Sequence, residues 1–192
     1  MALTPSTMRD LGTIAPDFAL PDCKGKIVTR KDFTGKPLLV VFISNHCPYV
    51  KHIGHKLGEL AGQYAERGMG AVLINSNNPD TYPEDAQDKM PGFAREYGIT
   101  VPYLYDANQE IAKAYKAACT PDFFLFDKQH KLVYRGQFDD SRPGGDAPVS
   151  GADLSAAADA VLAGKEVSAV QKPSMGCNIK WIEGKEPDYY SG

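Results

Sequence analysis

The apolar run Leu38-Leu39-Val40-Val41-Phe42-Ile43 leads without a break into Ser44-Asn45-His46-Cys47-Pro48, and no other stretch so limits what the chain can become. Six consecutive apolar residues, rich in β-branched types, predict an interior parallel strand rather than the alternating pattern of a half-exposed one. Pro48 fits the first turn of a helix, where its missing N–H is no loss. Cys47 then stands at the helix N-cap. Unpaired N–H groups and the positive dipole end favour a thiolate there, lowering a cysteine pKa from about 8.5 into the range of roughly 3.5–7.5. The alternative is a small buried hydrophobe, the ordinary place of a thiol that does no chemistry.

The surrounding sequence predicts an α/β chain. An edge hairpin is expected within 15–29, between the prolines of Ala15-Pro16-Asp17-Phe18-Ala19-Leu20-Pro21-Asp22 and the turn at Gly25. Strands are expected at 38–43, 70–76, 103–105, 122–126 and 131–135, and helices at 48–67, 82–97, 109–115 and 153–162. In the first helix, Val50, Ile53, Leu57, Leu60 and Tyr64 recur at helical spacing, and Gly68 closes it. Pro91-Gly92 is expected to break or kink the second. The alternation implies a sheet with helices on both faces. A loop follows over 137–151, and a flexible-looking tail carries Cys177 and Trp181. With 192 residues, no repeat and no shift of composition, one domain is expected over 1–192, with 1–36 as an N-terminal hairpin extension and 165–192 as the tail.

A net charge of -3 without basic clusters excludes a nucleic-acid surface as the leading reading. No stretch approaches the roughly 20 apolar residues of a membrane span. The first ten residues lack the pattern of a signal peptide, so a cytoplasmic location is expected. Four widely spaced cysteines, Cys23, Cys47, Cys119 and Cys177, suit neither a disulfide scaffold nor a zinc ribbon. In a reducing compartment they point to catalysis.

The opening Phe18-Ala19-Leu20-Pro21-Asp22, the segment Asn45-His46-Cys47-Pro48-Tyr49-Val50-Lys51, the stretch Cys119-Thr120-Pro121-Asp122-Phe123-Phe124-Leu125-Phe126-Asp127 and the tail Met175-Gly176-Cys177-Asn178-Ile179-Lys180-Trp181 together resemble the peroxiredoxin-like, AhpC/TSA or redoxin branch of the thioredoxin-fold superfamily. The resemblance implies a thioredoxin-like fold, a central mixed sheet flanked by helices, with an added N-terminal hairpin and a C-terminal tail. It also implies a cis proline at Pro121 facing the reactive cysteine. Relatives often carry Cys-x-x-Cys, whose first position is Ser44 here. A disulfide within that motif is therefore impossible. Ser44 matches the hydroxyl of the peroxiredoxin Pro-x-x-x-Thr/Ser-x-x-Cys pattern, but Val40 replaces its proline, and the peroxiredoxin arginine has no counterpart where Cys119-Thr120-Pro121 stands.

These features and the resemblance predict a thiol-dependent oxidoreductase and antioxidant, with Cys47 expected to attack either a peroxide or a protein or small-molecule disulfide. Ser44 and His46 are expected to assist, by hydrogen-bonding a peroxide and by holding charge or carrying a proton. Cys119, placed beside the helix start by the resemblance, and Cys177, in the same chain or a homodimer partner, are the candidate second thiols. Each has a structural alternative: Cys119 as a strand-end residue, Cys177 as part of an anchor through Ile179 and Trp181. Thr120, Pro121, Pro48 and Tyr49 are expected to contact the client, and a thiol such as thioredoxin or glutathione is expected to restore the enzyme. No cofactor is expected. The alternative function is a non-enzymatic redox sensor or a copper-chaperone-like metal module using His46, Cys47, His52 and His55, with solvent-facing histidines the ordinary explanation of that cluster.

Overall fold

The computed structural model describes residues 3–190; the outermost positions of the expected extension and tail, residues 1, 2, 191 and 192, lie outside them. Strand β1 (Leu3–Pro5) comes first, followed by the hairpin β2 (Ala19–Pro21) and β3 (Ile27–Thr29). Then come β4 (Leu38–Phe42), α1 (Pro48–Glu66), β5 (Gly70–Asn75), α2 (Met90–Glu96), β6 (Tyr103–Tyr105) and α3 (Glu110–Tyr115). The chain finishes with β7 (Cys119–Thr120), β8 (Asp122–Phe126), β9 (Leu132–Gly136), α4 (Ala152–Leu162) and β10 (Met175–Asn178).

The main sheet has the order β6-β5-β4-β8-β9, with β4 parallel to β5 and antiparallel to β8. It is therefore the mixed sheet of a thioredoxin-like fold. All five residues of β4 are buried, because alternate side chains enter different layers. Leu39, Val41 and Ile43 join α1, α2 and α4 on one face, while Leu38, Val40 and Phe42 meet α3, the hairpin, Ile179 and Trp181 on the other. Each large apolar side chain so buried contributes roughly 1.5–3 kcal/mol.

Helix α1 forms as its periodicity predicts, with Val50, Ile53, Leu57, Leu60, Ala61 and Tyr64 buried on one stripe. Gly68, at a φ of +94°, ends it, and the N–H of Met69 returns to the carbonyl of Tyr64 at 3.0 Å. Gly58 lets this helix approach its neighbour closely, since a Cβ there would lie 2.3 Å from the carbonyl oxygen of Tyr97. No described helix is long and apolar enough to cross a membrane.

Two expectations change. The helix expected over 82–97 is two short 3-10 turns, Pro83–Asp85 and Gln87–Lys89, followed by α2. Pro91 does not break that helix but sits in its first turn, where it needs no N–H acceptor. Nor is the tail loose around Cys177: β10 lies between β1 and β7 in a three-stranded antiparallel sheet. That pairing was invisible to periodicity because β1 and β7 have three and two residues.

Candidate functional site

Cys47 is the N-cap residue of α1, in extended backbone conformation, with Pro48 next. Its side chain is completely buried. The loop leading to it is held by Asp85, whose Oδ1 accepts the N–H of Asn45 at 2.6 Å and of His46 at 3.4 Å. Oδ2 of the same carboxylate accepts from Nδ1 of His46 and from Nδ2 of Asn77, the latter at 2.9 Å. Burial works against the charge on Asp85, yet the donors from His46, Asn77 and Asn45 hold its pKa below the ordinary value. The imidazole of His46 stacks on Tyr82 with centroids 4.3 Å apart, and its buried Nε2 has no hydrogen-bond partner.

The strand facing Cys47 contains the cis Thr120–Pro121 peptide that the resemblance implies. As a thiol, Cys47 donates to the carbonyl of Thr120 at 3.1 Å. The Thr120 hydroxyl lies 3.3 Å from that of Ser44, with both side chains turned inward and buried. Pro121 is also buried, Tyr49 is half-buried and Pro48 is exposed. Tyr49, His52, Pro121, Ser141 and Met175 line a narrow cleft beside the site. A depression of about 540 Å³, bounded in part by Leu11, Val133 and Val161, has no cysteine in its wall.

Of the two candidate second thiols, the fold brings Cys177 to Cys47. Pairing of β10 with β7 sets Cys177 opposite Thr120 and Asn178 opposite Cys119. Directly opposed residues share a face of an antiparallel pair and successive residues alternate. Cys177 therefore faces the Cys47 side with Thr120, whereas Cys119 faces the other way and directs its thiol to the carbonyl of Pro121 at 3.6 Å. Gly176 makes the approach of β10 possible, because a Cβ there would stand 2.1 Å from the carbonyl oxygen of Thr120.

A hydrogen bond from Cys177 is the main reason the Cys47 pKa falls to about 5; burial opposes the shift, and the Thr120 side chain and the Val50 N–H assist it. The thiol of Cys177 is pushed up by the same hydrogen bond and by burial. The pair thus shares one proton, held on Cys177. Burial, the Asp122 carboxylate and Cys47 push Cys119 well above its usual range. None of the four cysteines is in a disulfide.

Two residues near this site were given no role from the sequence: Asp85 lay in a segment read as ordinary helix, and Lys180 stood within the tail segment that carries the resemblance. Lys180 is buried, its Nζ bonds Asn178, and it stands 5.2 Å from the centroid of Tyr82. The remaining histidines are spread: His52 meets Ser141, His55 packs on Tyr97, and His130 meets Arg30 and the carbonyl of Phe33. Among the described residues no group of three or more His, Cys, Asp or Glu is arranged to hold a metal ion.

Residues 11–135 match the model of the AhpC/TSA family. A hypothetical protein from Sinorhizobium meliloti 1021, known as a crystal structure, is 52% identical, with a TM-score of 0.92 over 94% of this chain and 100% of its own. The thiol-disulfide oxidoreductase ResA of Bacillus thuringiensis subsp. konkukian (strain 97-27) is 29% identical over 125 residues, 65% of this chain and 68% of ResA. The thioredoxin domain of a Bacteroides vulgatus thiol-disulfide oxidoreductase shares the fold at 19% identity, with a TM-score of 0.57 over 66% of this chain and 88% of that domain.

Proposed function

The chain belongs to the AhpC/TSA family and is an oxidoreductase; from that premise we propose that it performs thiol–disulfide exchange, with Cys47 as the attacking thiolate and Cys177 as the resolving thiol. The observation that carries this reading is the hydrogen bond of Cys177 to Cys47 at the start of α1, which depresses the Cys47 pKa to about 5. Such a thiolate is present throughout the neutral range.

Cys47 attacks one sulfur of a client disulfide, forming a mixed disulfide and releasing the other client sulfur as thiolate. Cys177 then loses its proton and attacks the Cys47 sulfur. A Cys47–Cys177 disulfide forms, and the reduced client leaves. A reductant thiol, of the thioredoxin or glutathione kind, reverses these steps. Asp85 keeps the loop before Cys47 in one shape through the N–H groups of Asn45 and His46. Tyr49 and Pro121 border the cleft in which the client would lie. The ResA relative is named for the same chemistry.

Reduction of a peroxide by Cys47, through a sulfenic acid that condenses with Cys177, is the second reading. Complete burial of Cys47 favours an oxidant small enough to reach it. The proximity of Ser44 to Thr120 gives its hydroxyl a partner within the wall of the site.

The test is peptide mass mapping after stoichiometric oxidised glutathione or hydrogen peroxide, comparing wild type with Cys47→Ser, Cys119→Ser and Cys177→Ser. A Cys47–Cys177 disulfide in wild type, and a glutathione adduct trapped on Cys47 in Cys177→Ser, are expected. A Cys47–Cys119 bridge, or Cys47 left unmodified by the disulfide, would overturn the assignment; rapid oxidation by peroxide alone would favour the second reading.

A further inference from the structure

Cys47 is completely buried, and the cleft beside it, about 20 Å³, holds little more than one water. A client disulfide therefore reaches the thiolate only if a wall of that cleft gives way. Three walls are built into the fold: α1 presents Tyr49 and His52 from a helix with a continuous buried stripe, Pro121 is buried where β7 meets β8, and β10 presents Met175 from a strand paired on both sides. The remaining wall is the loop between β9 and α4, through Ser141, Arg142 and Pro143. From Pro143 to Pro148 that loop is exposed.

The loop is one body, because most of its hydrogen bonds close within it. Asp139 Oδ1 accepts the N–H and the hydroxyl of Ser141 at 2.9 and 2.6 Å, and its Oδ2 accepts the N–H groups of Ser150 and Gly151, each at 2.7 Å. Burial opposes the charge on Asp139, yet the Ser141 hydroxyl and the N–H groups of Gly151, Ser150 and Ser141 hold its pKa below the ordinary value. Arg142 donates to the carbonyls of Asp139 and Ser141. One carboxylate thus ties both ends of residues 139–151 together, as in a compact surface loop. The ties outward are few. Gln137 at the base meets Asp140 and Arg142, Val149 packs against the core near the start of α4, and Asp140 pairs with Lys172 in open solvent, where an ion pair is screened. Among the described residues one hydrogen bond joins the loop to α1 across the cleft. The Ser141 hydroxyl gives its proton to Asp139, so its oxygen accepts from Nε2 of His52, 3.1 Å away.

Resting on the exchange reading above, we propose that loop 139–151 is the movable wall of the client cleft, with the hydrogen bond from His52 to Ser141 as its latch. These two residues then set the size of the disulfide that Cys47 admits. Opening the loop gives up one neutral hydrogen bond across the cleft. Moving α1 would uncover its buried stripe, and moving β10 would break its pairing with both β1 and β7. The neck at Asp139 stays closed, so the loop tilts as a unit and keeps its shape. His52 and Ser141 are positioning residues, acting on the chemistry through the width of the cleft.

The experiment compares two reagents at neutral pH on the full chain carrying Cys23→Ser, which removes the half-buried thiol. Iodoacetamide is the small reagent. The bulky one is 5,5′-dithiobis(2-nitrobenzoate), whose disulfide the Cys47 thiolate attacks to form a mixed disulfide and release one coloured thiolate. Peptide mass mapping identifies the labelled cysteine. The ratio of the two rates at Cys47, bulky over small, should rise at least about fivefold in His52→Leu and in Ser141→Ala, and the double variant should match Ser141→Ala, because the two residues share one contact. A change in the thiolate fraction of Cys47 alters both rates alike and leaves the ratio unmoved. A ratio unmoved in His52→Leu, effects that multiply in the double variant, or labelling of the buried Cys119 as the whole fold loosens would each overturn the latch while the exchange reading stands. Cys47 left without either label in parent and variants would overturn the exchange reading, and this proposal with it.

Discussion

Cys119 and Cys177 lie on adjacent strands, one residue out of phase, and their surroundings treat negative charge in opposite ways. On the Cys177 face, the start of α1 and a second thiol converge, and Cys47 is brought down to about 5. On the Cys119 face there is burial and a carboxylate. Burial drives Asp122 up to about 7 although backbone N–H groups at Ala118, Cys119 and Phe123 oppose the shift, and its Oδ1 is left without a partner. Enclosure is common to both faces. What separates them is the presence of groups able to share the charge, so burial by itself would have made Cys47 as inert as Cys119.

The Cys119 face yields the largest expected effect. Because the folded pKa of Asp122, about 7, exceeds its unfolded value, the native state binds the extra proton between about pH 4 and 7. The stability this confers is complete below about pH 4 and is lost as the pH rises through 7, at up to about 1.4 kcal/mol per pH unit. Asp122→Asn should remove that slope in urea denaturation followed from pH 4 to 8. An unchanged slope would mean that this face tolerates charge after all.

Gly176→Val attacks the other face. Its Cβ meets backbone 2.1 Å away at Thr120, so β10 must move off β7, with a loss of about 3 kcal/mol. A urea midpoint equal to that of the parent would show that the contact between the strands is looser than described. The smallest effect sharpens the comparison directly. Cys177→Ala removes the hydrogen bond that is the first cause of the Cys47 shift and should return its pKa toward the ordinary range near 8.5. Alkylation of Cys47 by iodoacetamide at pH 6.5 should then fall at least about tenfold, whereas Cys119→Ala should leave the rate within about twofold. Equal slowing by the two alanines would erase the distinction between the faces.

Much of this molecule was legible residue by residue. The run ending at Ile43 and the proline after Cys47 specify a buried strand entering a helix, and that is where β4 and α1 lie. Local rules failed where two local signals competed. Pro91-Gly92 has the look of a helix breaker, but the chain had not yet begun that helix, so the proline became its start. Asp85 carried no signal, since its importance comes from partners that the fold brings to it: Asn45, His46 and Asn77.

The sequence by itself determined the α/β alternation, the thiol at a helix N-cap and the loss of a partner at Ser44, because each follows from side-chain period, backbone restriction or residue identity within a few positions. Only the tertiary structure decided which distant thiol Cys47 would meet. That choice rests on a register between strands of two and four residues more than fifty positions apart, on a glycine that lets them touch, and on the strict alternation of side chains across a strand, where a slip of one residue would have exchanged Cys177 for its neighbour.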